Sequence, residues 1–254
     1  MTTVHARETE HYCPPKLPRA LQVYAPAERP LNYQIRPDTS DIKAVNEVWV
    51  KNAYVRRGIR PGPGELWLDA GANMGAFADL CARAGADKVI GLEAEPTNAR
   101  MAAANNAMHG ATVDLQHRAL VTDSQGSGHI TLHVNDTDLG LRRHSVLKAR
   151  RASQPLEIPA VSISELLAEF PAHGAKLNIE GVEVPLLQEW TPPAHLHQLV
   201  LEWSFDVDNR TATLAKALRR LNKRYPHVEL HRKIDFALPT FPWFPPQVYV
   251  FAHD

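Results

Sequence analysis

Residues 66–77, LWLDAGANMGAF, constrain this chain more than any other stretch, because they read as a buried strand running into a glycine turn and then a helix. Leu66, Trp67 and Leu68 form an apolar run suited to a strand covered on both faces, with Asp69 at its carboxyl end. Gly71 and Gly75 bracket the turn, where a missing Cβ permits positive φ or close approach of the backbone to a ligand. Phe77, Leu80, Cys81 and Ala84 recur at the spacing of one apolar helical face, so a helix begins near Gly75. Strand, turn and helix in that order mark the place where a doubly wound α/β domain holds a nucleotide-like ligand.

A second element fits the same reading. KVIGL at 88–92 reads as the next buried strand, and it ends in Glu93, roughly 20 residues beyond the glycine turn, where such folds grip ribose hydroxyls. The turn carries Asn73 where a nicotinamide-type GxGxxG fingerprint needs its second glycine. That departure suits a ligand without a pyrophosphate, such as S-adenosylmethionine.

Strands and helices alternate along the rest of the chain, which indicates the α/β class. A proline-rich stretch up to about Pro30 (Pro14, Pro15, Pro18, Pro26 and Pro30) predicts an irregular or extended arm, residues 1–31, before a domain spanning 32–254. A helix capped by Thr39 or Ser40 runs to about Tyr54. Further helices are expected at 97–108, 164–170 and 211–225, with a helical or looped crossover at 184–190. Strands are expected at 113–121, 177–179, 199–202, 228–236 and 247–252, the last two as an antiparallel pair, and HITLHV as a hairpin-like extension. Residues 135–155 lack periodicity and read as a mobile loop.

With 28 basic and 28 acidic side chains, the molecule as a whole has no pull toward nucleic acid or anionic membrane. No apolar run approaches the ~20 residues that cross a bilayer. The start, MTTVHARETEHY, is polar and of mixed charge, unlike a secretory signal. Cys13 and Cys81 are the only cysteines, so a disulfide framework is not expected and a reducing, cytoplasmic setting is.

Four segments together resemble FkbM-type S-adenosylmethionine-dependent methyltransferases, over a span from about Tyr33 to the C-terminus. RPDTSDIKAVNEVWVKNAY (36–54) is similar to that family's lead-in helix, LDAGANMGAFA to its cofactor loop, and IGLEAEPTNARMAAANN to its acidic strand end and following helix. AKLNIEGVE (175–183) resembles its Lys-Ile-Asp-x-Glu-Gly-x-Glu segment. The resemblance implies a Rossmann-like class I methyltransferase fold, with a seven-stranded, mostly parallel sheet ending in an antiparallel pair. It also implies S-adenosylmethionine as cofactor. Asp69, Gly71, Asn73 and Gly75 would surround the methionyl end, and turn and helix-start N–H groups would favour its carboxylate. Glu93 would accept both ribose hydroxyls. After Val113, Arg118 and Ala119 are the candidates near adenine, although Arg118 also reads as a surface strand residue.

Methyl transfer is an in-line displacement that depends on proximity and orientation, and a hydroxyl acceptor must also lose a proton. Candidate groups cluster at the carboxyl ends of the fourth and fifth strands: Asn178, Glu180, Glu183 and Glu202. Asn178 stands where the family pattern has aspartate, and an amide cannot act as a base. Glu180 or Glu183 would then take the proton, unless these two carboxylates only cap the turn. No metal site is expected. His144, in the basic stretch RRHSVLKARR (142–151), is the histidine candidate for acid or base. That stretch would attract an anionic substrate or be a solvated loop. Tyr54, Trp203, Phe241, Trp243 and Phe244 are candidates for the wall of an acceptor pocket.

The resemblance implies hydroxyls of sugars or secondary metabolites as acceptors. Nitrogen acceptors, including amides of peptide natural products, stay open, as do a non-catalytic cofactor-binding module and homo-oligomer formation. A nicotinamide oxidoreductase is disfavoured by the missing glycine.

Overall fold

A computed structural model describes residues 21–26, 31–37, 39–135, 146–147, 153–205, 210–232 and 247–254. Its centre is the stretch that opened the sequence reading: strand β3 (Leu66–Ala70), the glycine turn, and helix α2 (Ala76–Arg83). Around it lie β4 (Lys88–Glu93), α3 (Pro96–Met108), β5 (Val113–His117), β9 (Gly174–Leu177), α5 (Glu183–Glu189), β10 (Gln198–Ser204), α6 (Thr211–Arg224), β11 (His227–Arg232) and β12 (Gln247–His253). The strands form one seven-stranded sheet in the order β11-β12-β10-β9-β3-β4-β5. β5, β4, β3, β9 and β10 run parallel, and β12 is antiparallel to both its neighbours. This is the mostly parallel sheet with an antiparallel final pair that the sequence led us to expect.

The two-residue period of the strands sorts side chains onto the two faces. Leu68, Ala70, Leu199, Leu201, Val248 and Val250 face a core closed by α4 (Ile163–Glu169), α5 and α6. Trp67, Val89, Val200, Tyr249 and Phe251 face the other core, closed by α1 (Asp41–Trp49) and α2.

Several elements differ from expectation, each for a local reason. The expected strand 113–121 is two strands. β5 ends at His117, and Arg118 donates its N–H to the Glu93 carbonyl at 3.1 Å. β6 (Ala119–Val121) then leaves for a separate three-stranded sheet, order β6-β8-β7, with β7 (Gly128–Asn135) and β8 (Ser153–Ser162). Ala119, Leu120 and Val121 are all buried, and the half-exposed edge strand β5 cannot cover three consecutive apolar residues. The start of β8 lies within the expected loop 135–155. β8 holds Pro155 and Pro159, and over 153–159 it is laddered, among the described residues, to β7 alone, so a missing N–H need not cost a ladder bond. Residues 136–145 and 148–152 lie outside the described residues.

α1 stops at Trp49 rather than Tyr54, and Asn52 at φ 47° takes the left-handed conformation that ends a helix. Thr39, not Ser40, offers its hydroxyl to the first turn, accepting the Asp41 N–H at 3.2 Å. Within the expected arm, β1 (Gln22–Tyr24) pairs antiparallel with β2 (Tyr33–Ile35), and the Tyr24 hydroxyl donates to Asn46 at 2.6 Å. β9 ends at Leu177, one residue before Asn178, which leaves Asn178, Ile179 and Glu180 in the connection at its carboxyl end. Cys81 is a buried free thiol, and Cys13 lies outside the described residues. Among the described residues, no helix is long and apolar enough to cross a membrane.

The lead-in segment is pinned over the glycine turn by a buried ion pair. Arg36 donates to both oxygens of Asp41 at 2.9 Å, to Asn98 on α3 at 2.6 Å, and approaches the Met74 sulfur at 3.8 Å. Arg36→Ala strands the Asp41 carboxylate in the interior, and urea unfolding should show a loss of about 3–5 kcal/mol. Replacing the pair together by Met and Leu should cost far less.

Candidate active site

At the carboxyl ends of β3, β4 and β9 the sheet opens into a cleft of about 900 Å³, its open mouth included. One end is built by the glycine turn. Gly71 lies at φ 77°, and a Cβ there would sit 1.8 Å from the Asn178 carbonyl oxygen. The amides of Gly71 and Ala72 both donate to the Leu92 carbonyl at 2.9 Å, folding the turn back onto β4. Asn73, itself at φ 51°, donates its N–H to Glu93 at 2.8 Å, and its side-chain oxygen is buried without a hydrogen-bond partner among the described residues.

Glu93 closes β4 and faces the cleft. Its two oxygens each accept one amide, from Asn73 at 2.8 Å and Glu95 at 2.9 Å, which leaves further acceptor capacity on each. Burial pushes this carboxyl up to about 7, against the lowering effect of the two amides. Arg118, Ala119, Leu120 and Ala94 form the adjoining wall.

The other end lies between α1 and the end of β9. Tyr54, Glu47, Asn178 and Glu180 line it. Asn178 donates its amide hydrogens to the Tyr54 hydroxyl at 3.2 Å and to Glu202 at 3.3 Å. Tyr249 on β12 donates its hydroxyl to Glu47, and burial, with Tyr54 and Glu47 adjacent, holds that phenol far above its usual range. Glu180 sits at φ 53°, next to Gly181 at φ 104°, in the sharp turn before α5.

Of the residues singled out from the sequence, the structure brings Gly71, Asn73, Glu93, Arg118, Ala119, Asn178, Glu180 and Tyr54 to the cleft wall. The others lie behind it. Asp69 is fully buried, accepting the Ala78 N–H at 3.1 Å and pairing with the Lys176 ammonium at 2.9 Å, so it braces the turn from beneath. Gly75 caps α2 at φ 78° and packs on Asn106. Glu183 is buried and folds over its own turn, accepting Ile179 N–H at 2.5 Å and Gly181 N–H at 2.8 Å. Burial raises its carboxyl to about 8, against the lowering effect of the Ile179 amide and its own, with Glu180 and Glu202 adding to the rise. It is the turn-capping alternative realised, and not a cleft residue. Glu202 is buried behind the wall, where it accepts from Asn178 at 3.3 Å. Trp203 is buried in the core beneath α4, α5 and α6 and is not among the described residues lining this cleft. His144, Phe241, Trp243, Phe244 and the basic stretch apart from Val146 and Leu147 lie outside the described residues, and Val146 lines the cleft.

Two charged wall residues were not singled out from the sequence, Glu47 and Lys176. Glu47 gives no signal in the helix periodicity. Lys176 does: a lone lysine inside an apolar strand requires a buried anion, and Asp69 supplies it. Among the described residues, no three His, Cys, Asp or Glu side chains are grouped so as to hold a metal ion.

No protein-family model matches the chain, and a search of curated proteins finds no match. Solved structures do resemble it. One is the C-terminal domain of precorrin-6Y C5,15-methyltransferase from Rhodobacter capsulatus, 16% identical over 87% of this chain and 93% of that one, with a TM-score of 0.42. Another is the Pyrococcus abyssi tRNA (uracil-54, C5)-methyltransferase in complex with S-adenosyl-L-homocysteine, at 14% identity, covering 91% of this chain and 43% of that one, TM-score 0.46. A third is the T. thermophilus 16S rRNA N2 G1207 methyltransferase in complex with AdoMet and guanosine, at 12% identity, covering 92% and 50%, TM-score 0.45. Likeness at this level concerns the arrangement of strands and helices alone.

The Gly71 contact is open to direct measurement. Gly126 also has positive φ, 71°, but open space around it, whereas Gly71 faces the Asn178 carbonyl. Gly126→Ala should cost about 1–2 kcal/mol from backbone conformation alone, and Gly71→Ala at least about 2 kcal/mol more from the clash. Denaturant midpoints of the two variants check this.

Proposed function

We propose that this chain is an S-adenosylmethionine-dependent methyltransferase of FkbM type, transferring a methyl group to a hydroxyl of a sugar or secondary metabolite. The observation that carries the reading is the pairing of the Gly71 turn with Glu93 across one cleft: a buried carboxylate with acceptor capacity on both oxygens, beside a turn with no room for a side chain at position 71. The orphaned Asn73 oxygen on the same wall fits a ligand carrying hydrogen-bond donors. The neighbouring solved structures named above include complexes with S-adenosyl-L-homocysteine and AdoMet.

Bound S-adenosylmethionine supplies an electrophilic methyl group on a sulfonium. The chain's own residues do the rest. Glu93 takes the ribose hydroxyls, and Arg118, Ala119 and Leu120 flank the adenine. At the other end, Tyr54 and Asn178 position the acceptor, whose approach must be collinear with the breaking bond. Glu180 and Glu47 are the carboxylates on that wall able to accept a hydroxyl proton. The amide at position 178 favours a second reading, an amine acceptor, because a neutral amine nitrogen attacks with its own lone pair and sheds its proton afterwards, with no need of an aspartate base.

Calorimetric titration with S-adenosylmethionine and S-adenosylhomocysteine tests the proposal. One saturable site per chain is expected, and no binding of either ligand would sink it. Glu93→Ala should abolish binding with the fold intact. Because Glu93 titrates near 7 in the free protein and ribose hydroxyls favour its charged form, binding should release a proton. Affinity should therefore climb by up to about tenfold per pH unit between about pH 5 and 7, flatten above, and lose this dependence in Glu93→Gln. Glu180→Gln should leave cofactor affinity within about twofold while turnover on an accepted substrate falls by about 100-fold.

A further inference from the structure

The methionyl end of such a cofactor carries a carboxylate, and a buried carboxylate must be paired. Helix-start amides are the usual receptor, yet around this turn many of them are engaged within the protein. Gly71 and Ala72 donate to Leu92, Asn73 to Glu93, Gly75 to Ala72 and Ala78 to Asp69. Two cationic side chains line the described wall, Arg118 and Lys176. Arg118 adjoins the ribose end, where its backbone N–H donates to the Glu93 carbonyl. Lys176 stands at the glycine turn.

The Lys176 ammonium is 2.7 Å from the Gly71 carbonyl and 2.9 Å from Asp69 Oδ1, and lies 5.4 Å from the centre of the Tyr54 ring. An ammonium has three protons. Two meet close acceptors, while among the described residues the third has only the Ala70 carbonyl at 3.5 Å, the outer limit of a hydrogen bond. Asp69 and Gly71 thus hold the cation in place at the cleft wall with one donor weakly used.

We propose that Lys176 receives the α-carboxylate of the cofactor, a role that rests on the methyltransferase reading above. The competing possibility is a pure cross-strand lock, in which Lys176 joins β9 to β3 through Asp69 and contacts no ligand. Binding of two ligands differing only in that carboxylate separates them: S-adenosylmethionine and its decarboxylated form, each titrated calorimetrically into the full chain. The wild-type protein should prefer the carboxylate form by about tenfold or more. In Lys176→Met the preference should shrink to within about twofold, through loss of affinity for S-adenosylmethionine alone. Since that variant leaves Asp69 buried and unpaired, the Asp69→Asn/Lys176→Met double variant is measured beside it, with ligand-free melting as the check on folding. A wild-type protein indifferent to the carboxylate, or a preference that survives removal of Lys176, overturns the inference and leaves the cofactor reading standing. Binding of neither ligand to the wild-type protein overturns both.

Discussion

The chain reverses at Gly71 within a space that three strands have already filled. β3 delivers the backbone there at the level where β4 ends in Glu93 and β9 gives way to Asn178. The Gly71 amide reaches back to Leu92, its carbonyl accepts the Lys176 ammonium, and its Cα lies against the Asn178 carbonyl with no room for a Cβ. Loosening this contact would move β4 and β9 together, because both walls of the cleft are anchored to the same residue. The parallel pairing of β3 with both neighbours makes the convergence possible, since all three strands end on one side of the sheet.

Buried acids surround this junction, and their partners decide what each is for. Asp69 pairs with Lys176 and the start of α2, Asp41 with Arg36, and Asp79 with the Tyr33 hydroxyl at 2.7 Å. Glu183 is wrapped by the amides of its own turn. These hold elements together. Glu93 is different, because each of its oxygens accepts one amide while the carboxylate still faces open space. Glu47 and Glu180 face the same space from opposite walls, one on a helix laid over the sheet and the other on a strained turn. A carboxylate at the end of a strand is therefore no guide to function until its donors are known.

Much of the fold could be read from the chain. The apolar run at 66–68, the glycines at 71 and 75 and the acid at 93 located the central strands, the turn and the ligand-facing edge, because backbone conformation and strand burial leave direct marks on residue type. The reading went astray where neighbours overrode local pattern. Residues 119–121 look like a continuation of β5 until the exposed edge of the sheet is seen to leave them uncovered. Residues 153–155 lacked periodicity and were expected in a loop, yet they open β8, whose pairing with β7 supplies the partner that local pattern does not record. At the site, Glu183 and Glu202 shared the sequence signature of Glu180, and only packing shows that they lie behind the wall.

The sequence by itself determined the α/β class, the position of the glycine turn and the acid that follows it, since these depend on φ angles, alternation and burial within a few residues. Tertiary structure alone decided which charges meet. Glu47 and Tyr249 are separated by 202 residues and Lys176 and Asp69 by 107, and no periodicity along the chain records either contact. The side chains that line the cleft were chosen by how α1 folds back over the sheet and how β9 lies beside β3, through packing among residues far apart in sequence.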